Sequence, residues 1–312
     1  MVFVLLSPAK SMRVPGNGGG EGWEGERGVP DLNFPSSTQQ LITSLVSLGV
    51  AKTKTLLKVS AGLAGDAFDG HSSHGNVVSG PQDEGEGIPL AKAWRAFSGT
   101  AYQALDGDSL DADVIARIEH SLRILDGIYG VVRGGDMVGR HRMDMGTKIS
   151  GNALPGVEAA SLYAFWGDKI GRLILDDAIA EQQESGEKPL VINCASDEYY
   201  KAAKAVLVDA AEEGKIDLVH VGFKTGGKAA GVYSKSGRGA VARFVGTASV
   251  SCLDDLLAFD SQGYSFSESQ SDLEGPVKNV VFIRASAPAP KRKASSKKKA
   301  SAKRKTKKQK KL

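Results

Sequence analysis

Hydrophobic residues along the chain occur either in short unbroken runs or at every third or fourth position. The runs Val2–Leu6 and Leu190–Ala195, of which the second is interrupted only by Asn193, are followed by polar residues, and their length and composition predict two buried strands. The spacing of apolar residues from Leu162 to Ile174 predicts a core helix instead, because residues three and four apart share one helical face. The chain is therefore expected to combine strands with amphipathic helices.

The stretch from Leu122 to Gly146 has an apolar first half and a strongly charged second half. Leu122, Leu125 and Ile128 recur at helical spacing, which predicts a helix with one buried face. The glycines from Gly127 onward are expected to end this helix and to place the charged residues on a loop. The charged residues of this loop are Arg133, Arg140, His141, Arg142 and Asp144. Such a composition is typical of an anion-binding rim, and a solvated charged turn is the alternative interpretation.

Apolar periodicity over residues 36–59 predicts two consecutive helices, followed by a small-residue turn at residues 60–65. A turn of this kind between two helices aims free backbone amides at a phosphate, and an ordinary helical hairpin is the alternative. Residues 70–88 are rich in glycine, serine and aspartate, which predicts an exposed loop. His71 and His74 are therefore expected to be exposed and not to be metal ligands.

Polar residues follow both predicted strands directly. Ser196 and Glu198 come after the second strand, where Ser196 is expected to cap the next helix. The alternative is that these polar groups face a cleft. Lys10 has a comparable position after the first strand, and residues at the carboxyl ends of core strands often face a binding site.

A further group of cations occurs in the C-terminal third of the chain. Residues 216–223 and 229–234 are predicted to be two strands of an antiparallel pair. Lys235, Arg238 and Arg243 then bracket the predicted start of a helix. The free amides and the dipole at such a helix start favour anions.

The formal net charge of +4 hides an uneven distribution along the chain. Residues 285–312 contain 13 Lys or Arg and no acid, which leaves 27 basic against 36 acidic residues in residues 1–284. The basic segment has no apolar periodicity, so it is expected to be a disordered tail that binds polyanions. In a nucleated cell its KRK and KKK clusters are alternatively an import signal.

The remaining composition excludes several classes of protein. No apolar run approaches the roughly 18 residues of a membrane span, and the short apolar start lacks the basic residue that precedes a secretory signal. Cys194 and Cys252 form no CxxC pair, and the histidines are scattered, so neither a disulfide framework nor a metal site is expected. These features predict a protein of a reducing compartment, the cytoplasm.

Seven segments occur in the order and with the content of one protein family. They read LLSPAKSM, LRILDGIYGVVRGGDM, RHRMDMGTKI, LYAFWGDKI, VINCASDEYYKA, YSKSGRGAVARF and FDSQGYSF. On these motifs the chain resembles the YaaA family of peroxide stress proteins over about residues 1–284. The basic tail lies outside the family pattern.

The resemblance implies a mixed α/β (α+β) fold in a single large domain, with a central mixed sheet flanked by helices. It also implies a helix-hairpin-helix-like element, which falls at residues 56–68, and a basic cleft that binds duplex DNA. The implied role is to keep unincorporated iron low during peroxide stress. Apart from the resemblance, no cofactor is expected, and the chain is expected to be a monomer. The family motifs place these residues along the cleft: Lys10, Arg140, Arg142, Lys148, Ser196, Glu198, Lys201, Lys235, Arg238 and Arg243.

Two classes of function follow from these residues. In the first, a non-enzymatic stress protein holds the phosphates of duplex DNA with low sequence specificity. In the second, an enzyme acts on a nucleotide or a DNA base, with Glu198, Asp144 and Lys10 as acid, base and cation for glycosidic or phosphoryl chemistry. The first is favoured because no nucleophile with an adjacent base is evident. A carboxylate inside the cleft would favour the second.

Both classes require that distant segments come together. Residues 140–148, 196–201 and 235–243 share arginines, lysines and a lone acid. We expect these three segments to meet around one concave basic surface.

Overall fold

A seven-stranded sheet forms the centre of the computed structural model, which describes residues 1–13, 26–79, 87–228 and 231–285. In this part of the chain the strands are β1 (Val2–Leu6), β2 (Ser11–Met12), β3 (Glu26–Gly28), β4 (Ile88–Lys92), β5 (Phe97–Ser98), β6 (Leu122–Asp126), β7 (Gly130–Arg133), β8 (Met137–Gly139), β9 (Leu190–Asn193), β10 (Asp217–Thr225), β11 (Ser265–Phe266) and β12 (Val277–Arg284). The helices are α1 (Pro35–Leu57), α2 (Ala61–Ser79), α3 (Ala93–Ala96), α4 (Thr100–Leu105), α5 (Ala112–Ser121), α6 (Leu162–Trp166), α7 (Lys169–Ser185), α8 (Asp197–Tyr200), α9 (Lys204–Glu212), α10 (Gly231–Thr247) and α11 (Leu253–Leu257).

The central sheet is mixed, with strand order β11-β12-β10-β9-β1-β6-β7. The five inner strands are parallel, and β11 and β7 are antiparallel at the two edges. Two small sheets, β2-β5 and β3-β4-β8, lie beside it. This architecture confirms the predicted α/β fold in a single domain. Within the described segments, no helix is long and apolar enough to cross a membrane.

The two faces of the sheet are covered by two separate hydrophobic cores. Because side chains alternate along a strand, Val4 and Leu6 of β1 enter one core, and Phe3 and Leu5 enter the other. The first core is closed by α4, α5 and α10, and the second by α1, α7 and α9. Burial on both faces explains why β1 is apolar throughout instead of alternating.

The helix predicted from Leu122 is wrong, because Leu122–Asp126 is the strand β6. This strand lies between β1 and β7 with all five residues buried. Its apolar residues therefore serve both faces of the sheet, a pattern that over a short run also satisfies helical spacing. Arg133 is likewise not on a loop; it ends β7, and its guanidinium binds the Asp177 carboxylate at 2.8 Å.

The exposed loop predicted to begin at residue 70 is also wrong in its described part. Residues 61–79 form α2, and both His71 and His74 are fully buried. Gly70 lets this helix approach the chain closely, since a Cβ there would overlap the Arg140 carbonyl oxygen. Packing against that segment stabilises a helix that its glycines and serines disfavour in isolation. Residues 80–86 lie outside the described residues.

The two helices predicted over residues 36–59 are observed as the two helical segments of α1, which is broken at Gly49, where φ is 68° and ψ is 169°. The next helix begins at Ala61, so most of the predicted turn at residues 60–65 is helical. The connection is residues 58–60 and forms a helical hairpin. A helix-hairpin-helix element of the DNA-binding type is not confirmed.

The strand predicted at residues 229–234 is wrong for residues 231–234, which begin α10, and residues 229–230 lie outside the described residues. Two glycines explain the close packing of this helix. A Cβ at Gly237 would lie 2.5 Å from the Phe223 ring, and a Cβ at Gly239 would overlap the Ala101 carbonyl oxygen. Lys235, Arg238 and Arg243 therefore lie within the body of α10 and do not bracket its start.

Candidate functional site

A cavity of about 460 Å³ opens at the carboxyl ends of β1 and β9. These adjacent parallel strands are a switch point of the sheet, because the next paired strands, β6 and β10, lie on opposite sides of them. Ligands of open α/β sheets bind in the crevice at such a point. Of the predicted site residues, those that line the cavity are Lys10, Asp144, Ser196, Glu198, Lys235 and Arg238.

Two serines, Ser7 and Ser196, contact each other in this cleft. The Ser7 Oγ atom accepts a hydrogen bond from the Ser196 backbone N–H at 2.9 Å, and the two hydroxyl oxygens lie 3.1 Å apart. The Tyr102 hydroxyl donates to the Ser7 carbonyl oxygen at 3.0 Å. Ser196 occupies the cap position of α8, but its side chain makes no capping hydrogen bond. The predicted capping by its hydroxyl is therefore wrong, and that hydroxyl faces Ser7 instead.

Two carboxylates form one wall of the cleft. The Lys10 Nζ atom lies 2.8 Å from Asp144 Oδ2, and the Tyr199 hydroxyl donates to Asp144 Oδ1 at 3.4 Å. Glu198 Oε1 accepts the Gly146 N–H at 2.9 Å. Burial and the neighbouring carboxylates raise the pKa of Tyr199, so this phenol stays protonated and acts as a donor.

Two cations on α10 form the opposite wall. Lys235 and Arg238 lie three residues apart, on neighbouring turns of one helical face. Neither has an acidic partner within the described ranges, and the buried Nε atom of Arg238 has no hydrogen-bond partner there. Burial raises the pKa of the adjacent Cys194 thiol to about 12, although the Arg238 charge opposes this shift. Cys194 is therefore a neutral thiol near pH 7 and not an activated nucleophile.

The other predicted site residues do not line this cavity. Arg140 Nη2 lies 3.2 Å from Asp66 Oδ2 beside a different cavity, and the Lys201 ammonium lies 4.6 Å from the centre of the Tyr163 ring. Arg142 is held by its backbone against His71, and Lys148 is exposed. The three predicted segments thus meet through Asp144, through Ser196 with Glu198, and through Lys235 with Arg238. The concave surface carries both signs of charge and is not simply basic.

Arg243, which was predicted from its charge to bind nucleic acid, bonds to other parts of the protein. Its Nη1 atom donates to the carbonyl oxygens of Leu105 and Asp106 at 2.9 and 2.8 Å, and its Nη2 atom donates to Ser109 Oγ at 3.0 Å. These bonds join α10 to the end of α4.

Arg243→Ala is expected to lower the free energy of unfolding by about 2 kcal/mol, because removal of a charged donor leaves two carbonyl groups without their partner. Arg238→Ala removes no hydrogen bond of Nε and should change stability less. Urea unfolding of both variants measures the difference. Equal losses of stability in the two variants would contradict a stabilising role of the Arg243 hydrogen bonds.

A buried polar network that the sequence patterns did not reveal supports the segment that carries Asp144. Asp126 Oδ1 accepts the N–H groups of Ile128 and Tyr129 at 2.8 and 2.9 Å, and Oδ2 lies 3.0 Å from His141 Nε2. The other ring nitrogen of His141 donates to the Gly139 carbonyl oxygen at 2.9 Å. Both nitrogens therefore face acceptors, as in a protonated imidazole.

The charges of this network stabilise each other. Burial opposes ionisation of both groups, but Asp126 raises the pKa of His141, and His141 with two backbone N–H groups lowers the pKa of Asp126. Next to them, the buried Tyr129 hydroxyl bonds the Nε2 atom of His74. The segment from Gly139 to Gly146 is therefore held by the hydrogen bonds of the His141 ring and by the bond from the Gly146 N–H to Glu198.

The residues that the structure describes contain no group of three or more His, Cys, Asp or Glu side chains arranged to hold a metal ion. The chemistry available in the cleft is that of cations, carboxylates and hydroxyls. This set recognises a ligand with an anionic group together with hydrogen-bond donors.

Comparisons with known proteins agree with the sequence motifs. The family described as peroxide stress protein YaaA matches residues 1–270. A UPF0246 protein of Shewanella woodyi is 32% identical over 283 residues, covering 88% of this chain and 98% of the relative. UPF0246 protein Shew185_1115 of Shewanella baltica is 35% identical over 281 residues, covering 88% and 97%. UPF0246 protein IL2146 of Idiomarina loihiensis is 31% identical over 293 residues, covering 91% and 99%. The chain belongs to the peroxide stress protein YaaA family.

Proposed function

We propose that this protein acts in peroxide stress by binding DNA, with the cleft at β1 and β9 as its structured contact surface. The observation that carries the proposal is the pair Lys235 and Arg238, which face the cleft without an acidic partner in the described segments. The ammonium group of Lys235 and the guanidinium group of Arg238 are favourable partners for phosphate oxygens. The expected effect in the cell is a lower level of unincorporated iron, as the family resemblance implies.

Phosphate contacts of this kind position a protein on DNA without reading its sequence. Lys235→Gln with Arg238→Gln is therefore expected to weaken duplex binding roughly tenfold or more, equally for unrelated sequences. The slope of log K against log[salt] should fall by about 0.9 for each phosphate that the variant no longer neutralises. Titration of labelled duplexes by fluorescence anisotropy measures both quantities.

Arg172→Gln with Lys188→Gln is the matched control, because both residues are exposed cations that form ion pairs outside the cleft, with Asp168 and Asp217. This control removes two positive charges, as the cleft variant does. Weaker binding to one sequence alone would indicate base readout. An unchanged affinity in the cleft variant would remove the cleft from the proposal.

The basic tail, residues 285–312, lies outside the described residues except for Ala285. We expect it to add nonspecific DNA affinity through counterion release. A chain ending at Arg284 should show a flatter salt slope, by about 0.9 for each phosphate that the tail neutralises. A slope equal to that of the full chain would show that the tail is not a DNA ligand, as expected if it is an import signal only.

A second candidate function is an enzyme acting on a nucleotide or a DNA base, and the two carboxylates in the cleft favour it. A site that only holds phosphates is weakened by Asp144 and Glu198, since both repel the ligand. In this proposal Glu198 and Asp144 are the acid and base, and Lys10 is the cation, which forms an ion pair with Asp144. Release of free base or of phosphate from DNA by the wild type, abolished in Glu198→Gln, would support it. Equal release by wild type and variant would exclude this role for Glu198.

A further inference from the structure

The two walls of the cleft carry opposite charges. Lys235 and Arg238 lie on α10, and Asp144 and Glu198 come from the segment after β8 and from α8. Lys10 also lines the cleft, and its Nζ atom lies 2.8 Å from Asp144 Oδ2. A continuous row of phosphates has charge of one sign only, so it fits one wall and is repelled by the other. The ligand that fits both walls has an anionic end and a donor-bearing end.

The cation wall is suited to a phosphate group. A guanidinium presents several N–H donors in a planar fork that matches a phosphate, and Arg238 lines the cavity without an acidic partner among the described residues. Lys235, close by on the same helix, adds a second positive charge. The hydroxyls of Ser7 and Ser196, 3.1 Å apart, lie on the floor between the walls.

The acidic wall is suited to hydrogen-bond donors. Glu198 is exposed, and of its two carboxylate oxygens only Oε1 has a hydrogen bond in the described structure, from the Gly146 N–H. Each carboxylate oxygen accepts about two hydrogen bonds, so Glu198 retains capacity for ligand N–H or O–H groups. Exocyclic amino groups, ring N–H groups and sugar hydroxyls are donors of this type.

We propose that the cleft binds a single nucleotide, with its phosphate against Lys235 and Arg238 and the donors of its base or sugar against Glu198 and Asp144. The cavity of about 460 Å³ lies within the range of small-molecule sites. This inference rests on the proposed function, because it takes the cleft to be the nucleic-acid contact. A base inside a duplex cannot reach such a cavity, so a nucleotide supplied by DNA must be unpaired.

Isothermal titration of the full chain with 2′-deoxyadenosine 5′-monophosphate, deoxyadenosine and inorganic phosphate tests the inference. The monophosphate is expected to bind at least roughly tenfold more tightly than either fragment, since each fragment contacts one wall only. Arg238→Gln should remove the advantage of the monophosphate over deoxyadenosine. Arg172→Gln, on α7 away from the cleft, should leave all three affinities unchanged.

Glu198→Gln gives the sharpest distinction, because glutamine keeps the oxygen that accepts from Gly146. If the acidic wall holds donors, this variant should bind the monophosphate more weakly and inorganic phosphate no more weakly than the wild type. If the cleft is only a phosphate site, the variant should bind both more tightly, since a repulsive charge is removed. The second result overturns the inference, as does equal affinity for phosphate and monophosphate.

The source of the nucleotide is determined by comparing a fully paired duplex with one that contains a single unpaired nucleotide. Tighter binding of the second, with competition by the free monophosphate, supports a nucleotide taken from DNA. Equal duplex affinities together with binding of the monophosphate support a free nucleotide. If Arg238→Gln weakens duplex binding but no monophosphate binds, the inference is wrong and the proposed DNA contact stands.

Discussion

Asp126→Asn is expected to lower the free energy of unfolding by about 3–5 kcal/mol, the range found when one partner of a buried ion pair is removed. Both carboxylate oxygens of Asp126 accept hydrogen bonds, from two backbone N–H groups and from His141. An asparagine offers one acceptor oxygen, and its amide donors would face donors already present. In this variant the protonated ring of His141, a residue that is only 5% exposed, would have no counter-charge.

Urea unfolding measures this decrease in stability, and Asp168→Asn is the matched control. Asp168 also pairs with a cation, Arg172, but both side chains are more than half exposed, so that pair is worth at most about 1 kcal/mol. A decrease for Asp126→Asn as small as that of the control would show that the pair does not anchor the segment. The Asp126 variant is also expected to bind ligand more weakly, because His141 holds the chain that presents Asp144.

The stabilising contribution of the buried histidines His71 and His74 is expected to be complete above about pH 6.5. Burial lowers the pKa of His71 to about 3 and that of His74 to about 4. Below pH 6.5 the unfolded chain binds protons at these two residues and the folded chain does not. Their contribution is therefore lost as the pH falls from about 6.5 towards 4, by up to about 2.7 kcal/mol per pH unit.

The ion pair between Asp126 and His141 loses its stabilising contribution as the pH rises. The pKa of His141 is raised, so the folded chain retains a proton that the unfolded chain releases above pH 6.5. This contribution is complete below that pH and is lost as the pH rises through the folded pKa. The lowered pKa of Asp126 adds a destabilisation only below about pH 3.8, as the pH falls through its folded pKa.

Urea unfolding at pH values from 4.5 to 8.5 tests this profile. His71→Leu should reduce the slope on the acid side by about 1.4 kcal/mol per pH unit, since one titrating group is removed. The same slope in wild type and variant would mean that His71 is not buried in its neutral form.

The sequence predicted the parts of the site that follow continuous apolar runs. Val2–Leu6 and the strand before Ser196 are short, mostly apolar and followed by polar residues. This pattern was sufficient to predict that Lys10, Ser196 and Glu198 lie just after the ends of strands. Their convergence depends on β1 and β9 being neighbours, which is a property of the sheet order and has no local signal.

Other features were missed because tertiary contacts override local preference. The glycines of α10 and α2 look like helix breakers, yet they allow contacts with Ala101, Phe223 and Arg140 that stabilise both helices. The sequence also does not separate a cation that faces a cleft from one that bonds backbone carbonyls. Arg238 and Arg243 differ in this way although they lie five residues apart on one helix.

Photo-crosslinking of the full chain to a duplex with photoreactive nucleotides, followed by mass spectrometry of the peptides, tests most directly whether the cleft at β1 and β9 is the nucleic-acid site. If it is, crosslinks are expected at residues 7–11, 196–199 and 235–238, besides any on the basic tail, and those in the cleft should disappear in Arg238→Gln. Crosslinks confined to the tail or to the connection at residues 58–60, with none in these three segments, would contradict a nucleic-acid site in the cleft.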